Sequence, residues 1–185
     1  MRKIPYYLLT SIMILGCAIP TFLTPLSGAN SEDCSNIEIT DTDVEKNLAY
    51  GASMFSDWKR SYTVQQDQTY AFYLNNPLGA AASVTTLALC DARNELKSYA
   101  NPGNLDILLS NYDEFKQTAS CEQDGTLLFQ FTAYNDDFKY DIHFWFEPLK
   151  ERNRAREVMV VFPVSDLQSM EKYSTTLFPD IPFCP

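Results

Sequence analysis

TLLFQFTAYNDDFKYDIHFWF, residues 126–146, decides the fold class. Leu127, Phe129, Phe131 and Ala133 recur at every second position over 126–134, and Tyr140, Ile142, Phe144 and Phe146 do so over 138–146. A period of two places each set on one face of a β-strand. Asn135-Asp136-Asp137 between them is a turn composition. Pairing Phe131 with Ile142, Phe129 with Phe144 and Leu127 with Phe146 matches core residue to core residue. A one-residue slip would set Phe129 against His143, so the register is specified.

Working outward, Glu157 to Val164 gives a further strand. Val158, Val160, Phe162 and Val164 lie on one side, Met159 and Val161 on the other. A strand apolar on both faces belongs in the middle of a sheet, covered twice. Lys150 to Arg156, between these strands, reads as a charged solvent loop. Upstream, Tyr62 and Val64, then Tyr70, Phe72 and Leu74, alternate with polar residues around a turn at Gln65–Gln68, which predicts a hairpin. Asn75-Asn76-Pro77-Leu78-Gly79 then breaks the sheet. Thr42-Asp43-Val44-Glu45 has the form of a capping box, and Val44, Leu48, Ala52 and Phe55 follow at helical spacing, predicting a helix over 43–56. Residues 80–118 fit strand or helix: Val84-Thr85-Thr86-Leu87 is β-branched, yet Ala81, Val84, Ala88 and Leu96 keep a helical period.

The expected fold is therefore mainly β: an antiparallel β-sandwich with a short N-terminal helix. The alternative is α+β, with two helices from 80–118 on an antiparallel sheet. Ser61-Tyr62-Thr63-Val64 with Gln68-Thr69-Tyr70-Ala71-Phe72, Cys90-Asp91-Ala92-Arg93-Asn94-Glu95-Leu96, and Asp124-Gly125-Thr126-Leu127-Leu128-Phe129 resemble the strand openings and turns of bacterial pre-peptidase C-terminal domains and related secreted β-sandwiches. The resemblance covers roughly 60–147 and implies a small exported sandwich that serves as a non-catalytic appendage.

Residues 1–29 read as an export signal. Arg2 and Lys3 precede an apolar run from Tyr6 to Ile19, and Ser27-Gly28-Ala29 supplies small residues for cleavage. The run is shorter than the roughly 18–20 residues a membrane span needs. Ile14-Leu15-Gly16-Cys17 looks like a lipobox, so lipid anchoring through Cys17 is the alternative, although apolar rather than polar residues follow it. A single exported domain, 30–185, is expected, secreted or periplasmic, with no transmembrane span after the signal. It keeps four cysteines: Cys34, Cys90, Cys121 and Cys184. An even number in an exported chain points to two disulfides, of which three connectivities exist. Because domain termini often lie together, the expected pairs are Cys34–Cys184 and Cys90–Cys121.

The 185 residues carry 14 basic against 24 acidic side chains, a formal charge of -10. Without Arg2 and Lys3 the balance is 12 against 24. Such a field repels phosphates and excludes nucleic acid as a partner. His143, the one histidine, is the candidate general base of a small hydrolase, with Asp141 to orient it. No G-x-S-x-G elbow accompanies them, and no catalytic residue is assigned. The same strand face offers a candidate ligand surface: Trp145 and Tyr134, flanked by Gln130, Asp141 and His143, suit a protein or glycan partner. Asp136-Asp137, Asp113-Glu114 and Asp91 carry oxygen ligands suited to Ca²⁺, but no calcium-loop motif frames them. No C-x-x-C pair supports zinc, and no cofactor or metal is expected. The functional expectation is a non-enzymatic exported binding or accessory protein of the periplasm or cell surface. A hydrolase using His143 and a structural envelope component are the alternatives.

Overall fold

A computed structural model describes residues 34, 37–65, 69–75, 79–164 and 184. The expected leader, Cys17 and the turn around Asp67 lie outside them. In the expected hairpin, β5 (Thr126–Asn135) pairs antiparallel with β6 (Phe138–Pro148). Its register opposes Leu127 to Phe146, Phe129 to Phe144 and Phe131 to Ile142. The other strands are β1 (Lys59–Gln65), β2 (Thr69–Asn75), β3 (Ala80–Ala88), β4 (Glu114–Gln123) and β7 (Arg154–Pro163). All seven form one antiparallel sheet in the order β1-β2-β3-β7-β6-β5-β4. Two meanders, β1-β2-β3 and β4-β5-β6-β7, are thus sewn together where β3 pairs with β7.

The mainly β class and the N-terminal helix stand, but the described residues form one sheet, not the two of a sandwich. Helices occupy the place of a second sheet. Helix α1 (Asp41–Met54) lies against β2 and β3, and α2 (Ala92–Tyr99) against β6 and β7. Segment 80–118 resolves as β3, α2, the short α3 (Pro102–Leu108) and β4. The alternative reading, two helices on an antiparallel sheet, describes it. Of the segments that carry the family resemblance, β1 and β2 pair as a hairpin and Asp124-Gly125 turns into β5, whereas Asp91 to Leu96 is a helix start.

Side-chain alternation explains the two cores. Val158, Val160 and Phe162 of central β7 join Trp58, Tyr73, Val84, Leu128 and Trp145 beneath α1. Val161, with Met159 partly buried, faces the other way, into a cluster with Ile142, Phe144, Phe146, Phe131 and Leu96. Phe144 and Phe146 have no exposed surface, so truncating either to alanine costs about 3–5 kcal/mol.

Helix α1 starts two residues earlier than expected. Thr40 is its N-cap: the Thr40 hydroxyl accepts from the Asp43 N–H at 3.2 Å, and the Asp43 carboxylate accepts from the Thr40 N–H at 2.8 Å. The box closes on Asp43 rather than Glu45 because Asp43 also meets Arg154. The Arg154 guanidinium donates to Asp43 at 2.9 Å and to the Glu38 carbonyl at 2.7 Å, and is itself buried. This corrects the expected solvent loop over 150–156. Strand β7 begins at Arg154, and Arg156 stacks 3.6 Å over the Tyr50 ring while donating to Glu147. Burial alone would raise the Asp43 carboxyl, but its bonds from Arg154 and Thr40 outweigh that and hold it at about 2.

The disulfides are Cys34–Cys90 and Cys121–Cys184, with Cα–Cα distances of 5.6 and 5.4 Å. The expected pairing is corrected on both counts. Cys90 follows β3 and precedes α2, whereas Cys121 lies on β4, at the edge of the sheet. The crossover that sends the chain from the sheet centre to its edge separates these two cysteines.

Candidate functional site

The expected ligand surface does not assemble as a surface. Trp145 is 2% exposed, inside the cluster beneath α1, and its ring lies 5.6 Å from that of His143. His143 is 6% exposed, and burial lowers its pKa to about 4. An imidazole so enclosed does not meet a substrate at the surface, and the hydrolase reading loses its base. Gln130, opposite His143, and Asp141 are half-buried, and burial raises the Asp141 carboxyl. Of the five residues, Tyr134 alone is well exposed, at 39%. The sequence reading left this strand face outward, yet Leu128, His143 and Trp145 on it are buried.

Two of the acids considered for Ca²⁺, Asp91 and Asp113, serve the backbone. Asp91 caps α2, accepting from the Asn94 N–H at 3.3 Å, and pairs with Arg152 at 3.1 Å. Asp113 accepts from the Asp136 N–H at 2.8 Å. Among the described residues no group of three or more His, Cys, Asp or Glu side chains is placed to hold a metal ion.

What the fold does build is a groove on the α2 side of the sheet. Its floor is Leu127 and Phe129 of β5; its walls are α2 (Arg93, Leu96, Lys97, Ala100) and β4 (Ser120, Glu122), with Asp124, Gly125 and Pro148 at one end. It holds two adjoining cavities of ≈ 260 and ≈ 360 Å³ that share Lys97, Glu122 and Leu127. Between them the Lys97 ammonium meets the Glu122 carboxylate at 2.6 Å, a bridge thrown from helix to edge strand. Both side chains are largely solvated, so the pair contributes at most about 1 kcal/mol and opens cheaply. The groove lies where α2, packed over β6 and β7, stands beside the β4–β5 hairpin. Ser120 and Glu122 share a face with Phe129 and Leu127 because Thr118 bulges out of β4 between Gln117 and Ala119.

Beneath the same helix, Glu157 of β7 is buried and accepts a hydrogen bond from the Tyr99 hydroxyl at 3.3 Å. Burial pushes its carboxyl up to about 7, the Tyr99 bond opposing only part of that rise. Sequence reasoning missed the groove because it left 80–118 undecided. The signal was present in Arg93 and Lys97, four apart on one helical face, with Leu96 and Ala100 turned inward.

Fold and groove together define a mainly β protein with helices on both faces of one sheet and a shallow, charge-rimmed cleft beside its edge strand. No protein-family profile matches the chain, and no curated protein matches it. Among solved structures, it is similar to the Ran-binding protein Mog1p of Saccharomyces cerevisiae, at 12% identity over 66% of this chain and 72% of that one, with a TM-score of 0.39. It is also similar to human StAR-related lipid transfer protein 5, at 11% identity over 74% of this chain and 92% of that one, with a TM-score of 0.36. At these values neither likeness carries an argument about function.

Proposed function

We propose that this chain is an exported, non-enzymatic binding or accessory protein of the periplasm or cell surface, and that it holds a polypeptide partner in the groove between α2 and the β4–β5 hairpin. The groove itself carries this reading: an apolar floor for a partner's side chains, rimmed by charges of both signs that fix orientation. Among the described residues β4 is the edge strand running beside it, and an edge strand's outer backbone groups suit pairing with an extended segment. Burial of Trp145 removes the ring expected to stack on a glycan, which favours polypeptide over sugar. Two disulfides suit an oxidising compartment, and among the described residues no helix is long and apolar enough to cross a membrane.

Two measurements test the proposal. The intact mass of the exported protein, taken before and after reduction with thiol labelling, is expected to start at Asn30 and to yield four thiols only after reduction. A mass starting at a lipidated Cys17 would place it on a membrane. A photo-crosslinking residue at Ser120 is expected to trap a polypeptide that one at Glu45, on exposed α1 surface, does not. Equal trapping from both positions would sink the groove assignment.

A further inference from the structure

The helical wall of the groove is seated on a buried acid. Glu157, on β7, is 5% exposed, and the Tyr99 hydroxyl donates to its Oε2 at 3.3 Å. Tyr99 is the last residue of α2, and its ring packs edge-on against Phe146 at 6.1 Å. In the sheet Glu157 stands between Thr85 of β3 and Phe146 of β6, which share its face. Strand β3 carries no charged residue. Lys139, Asp141, His143 and Glu147 of β6, with Arg154 and Arg156 of β7, alternate onto the opposite face. From α2, Glu95 lies one turn before Tyr99, and its carboxylate accepts from the Cys90 N–H at 3.0 Å. An ionised carboxylate has about four lone-pair sites to satisfy. One tyrosine hydroxyl fills one of them, and water has to fill the rest.

The two ends of α2 are held differently. Its start is tied down: the Ala92 N–H donates to the Arg152 carbonyl at 2.7 Å, Asp91 pairs with Arg152, and Cys90 is bonded to Cys34. Its last turn carries Tyr99 and, with Leu96, Lys97 and Ala100, forms the groove wall. From that turn Lys97 reaches Glu122, and the bridge stands between the two cavities.

We infer that Glu157 is a proton-operated latch on the groove: protonated, it seats the last turn of α2 on the sheet; ionised, it releases that turn to water, parting Lys97 from Glu122 and joining the two cavities. Burial disfavours the charged carboxyl and opening rehydrates it, so proton loss and opening are linked. The group titrates at about 7 when seated and at an ordinary 4.5 when hydrated, so opening becomes easier as pH rises through that interval. His143 lies on the other face. Local opening of α2 leaves it covered, whereas global unfolding hydrates both groups. As a control on partner binding the latch rests on the groove reading; as a motion of the free protein it does not.

The test is amide hydrogen exchange of the full exported protein without a ligand, at pH 5 and 6.5, corrected for the intrinsic rate at each pH. Opening at the Ala100 amide, which bonds to the Leu96 carbonyl, is expected to rise about twentyfold in the parent and to stay level in Glu157→Gln. The Phe144 amide of β6 opens with the whole fold, where His143 offsets Glu157, and should stay nearly level in the parent. Tyr99→Phe removes the donor to the carboxylate and should carry the rise at Ala100 beyond pH 7. Equal changes at Ala100 and Phe144, or none at Ala100, overturn the latch. A photo-crosslinking residue at Ser120 then reads the groove: trapping of a polypeptide should grow with pH in the parent but not in Glu157→Gln. Trapping that is the same at both pH values overturns the latch as a control on binding. Absence of trapping at either pH, beside the expected exchange, sinks the groove reading and leaves the latch standing.

Discussion

Two buried titratable groups, one on each face of the sheet, set opposing demands on pH. Glu157 rises from 4.5 to about 7 on folding, so the native state favours its protonated form. Its stability is fully present below pH 4.5 and is lost as pH climbs to 7. His143 falls from 6.5 to about 4, so the native state favours the neutral ring. Its contribution is intact above pH 6.5 and is lost as pH drops to 4. A shift of two to three pKa units corresponds to about 3 kcal/mol for each group, with slopes near 1.4 kcal/mol per pH unit. Between pH 4.5 and 6.5 the two slopes have opposite sign and cancel, leaving the pair nearly flat. Glu157→Gln removes one of them while leaving an amide oxygen to accept from Tyr99. The variant should be about 3 kcal/mol more stable than the parent at pH 7, and its stability should climb with pH from 4 to 6.5. His143→Asn should show the mirror image, declining from pH 4.5 to 7. Asp141, also raised by burial, is common to parent and variants and drops out of the difference. Asp43, held at about 2, titrates below this window. Urea unfolding followed by the fluorescence of Trp58 and Trp145, both buried, measures each profile. A Glu157→Gln profile parallel to the parent's would refute the reasoning.

Gly51→Ala places a Cβ onto the Tyr73 hydroxyl, packed directly against the helix. Despite alanine's better helix propensity it should cost about 1–3 kcal/mol, and Tyr73→Phe in the same chain should recover part of that in a double-mutant cycle. Arg154→Met leaves the Asp43 carboxylate buried without its guanidinium and should cost about 3–5 kcal/mol by urea unfolding. Adding Asp43→Asn, whose amide oxygen can still accept from the Thr40 N–H, should restore most of the loss. Non-reducing digestion with mass spectrometry should recover Cys34 linked to Cys90 and Cys121 linked to Cys184. Replacing either pair by serine should lower stability by about 2–4 kcal/mol.

Strand pairing was legible in the sequence wherever alternation was strict. The β5–β6 register and the two-faced burial of β7 follow from Phe, Ile and Val at every second position, since any slip would expose them. The position of α1 was legible to within two residues; the miss came from Asp43, whose choice of partner depends on Arg154, more than a hundred residues away. Residues 80–118 were ambiguous because Ala, Val and Leu suit a buried strand and a helix alike, and tertiary context decides. Disulfide connectivity was hidden for a related reason, since it depends on where the crossover puts Cys90 and Cys121. The groove was hidden with it, being made of α2 and β4, two elements of that same undecided stretch.

The position of the disulfides relative to the β3–β7 seam has a consequence for covalent continuity. Cys34–Cys90 closes wholly within the part of the chain before α2, and Cys121–Cys184 wholly within the part from β4 onward. Neither crosses the seam, where Val84 meets Val158 and Ala82 meets Val160. The peptide running through α2 and α3 is therefore the sole covalent link between the meanders. A single proteolytic cut there would yield two separately cross-linked fragments, joined by one antiparallel ladder and its packing, that denaturant alone could part and dilution could reunite.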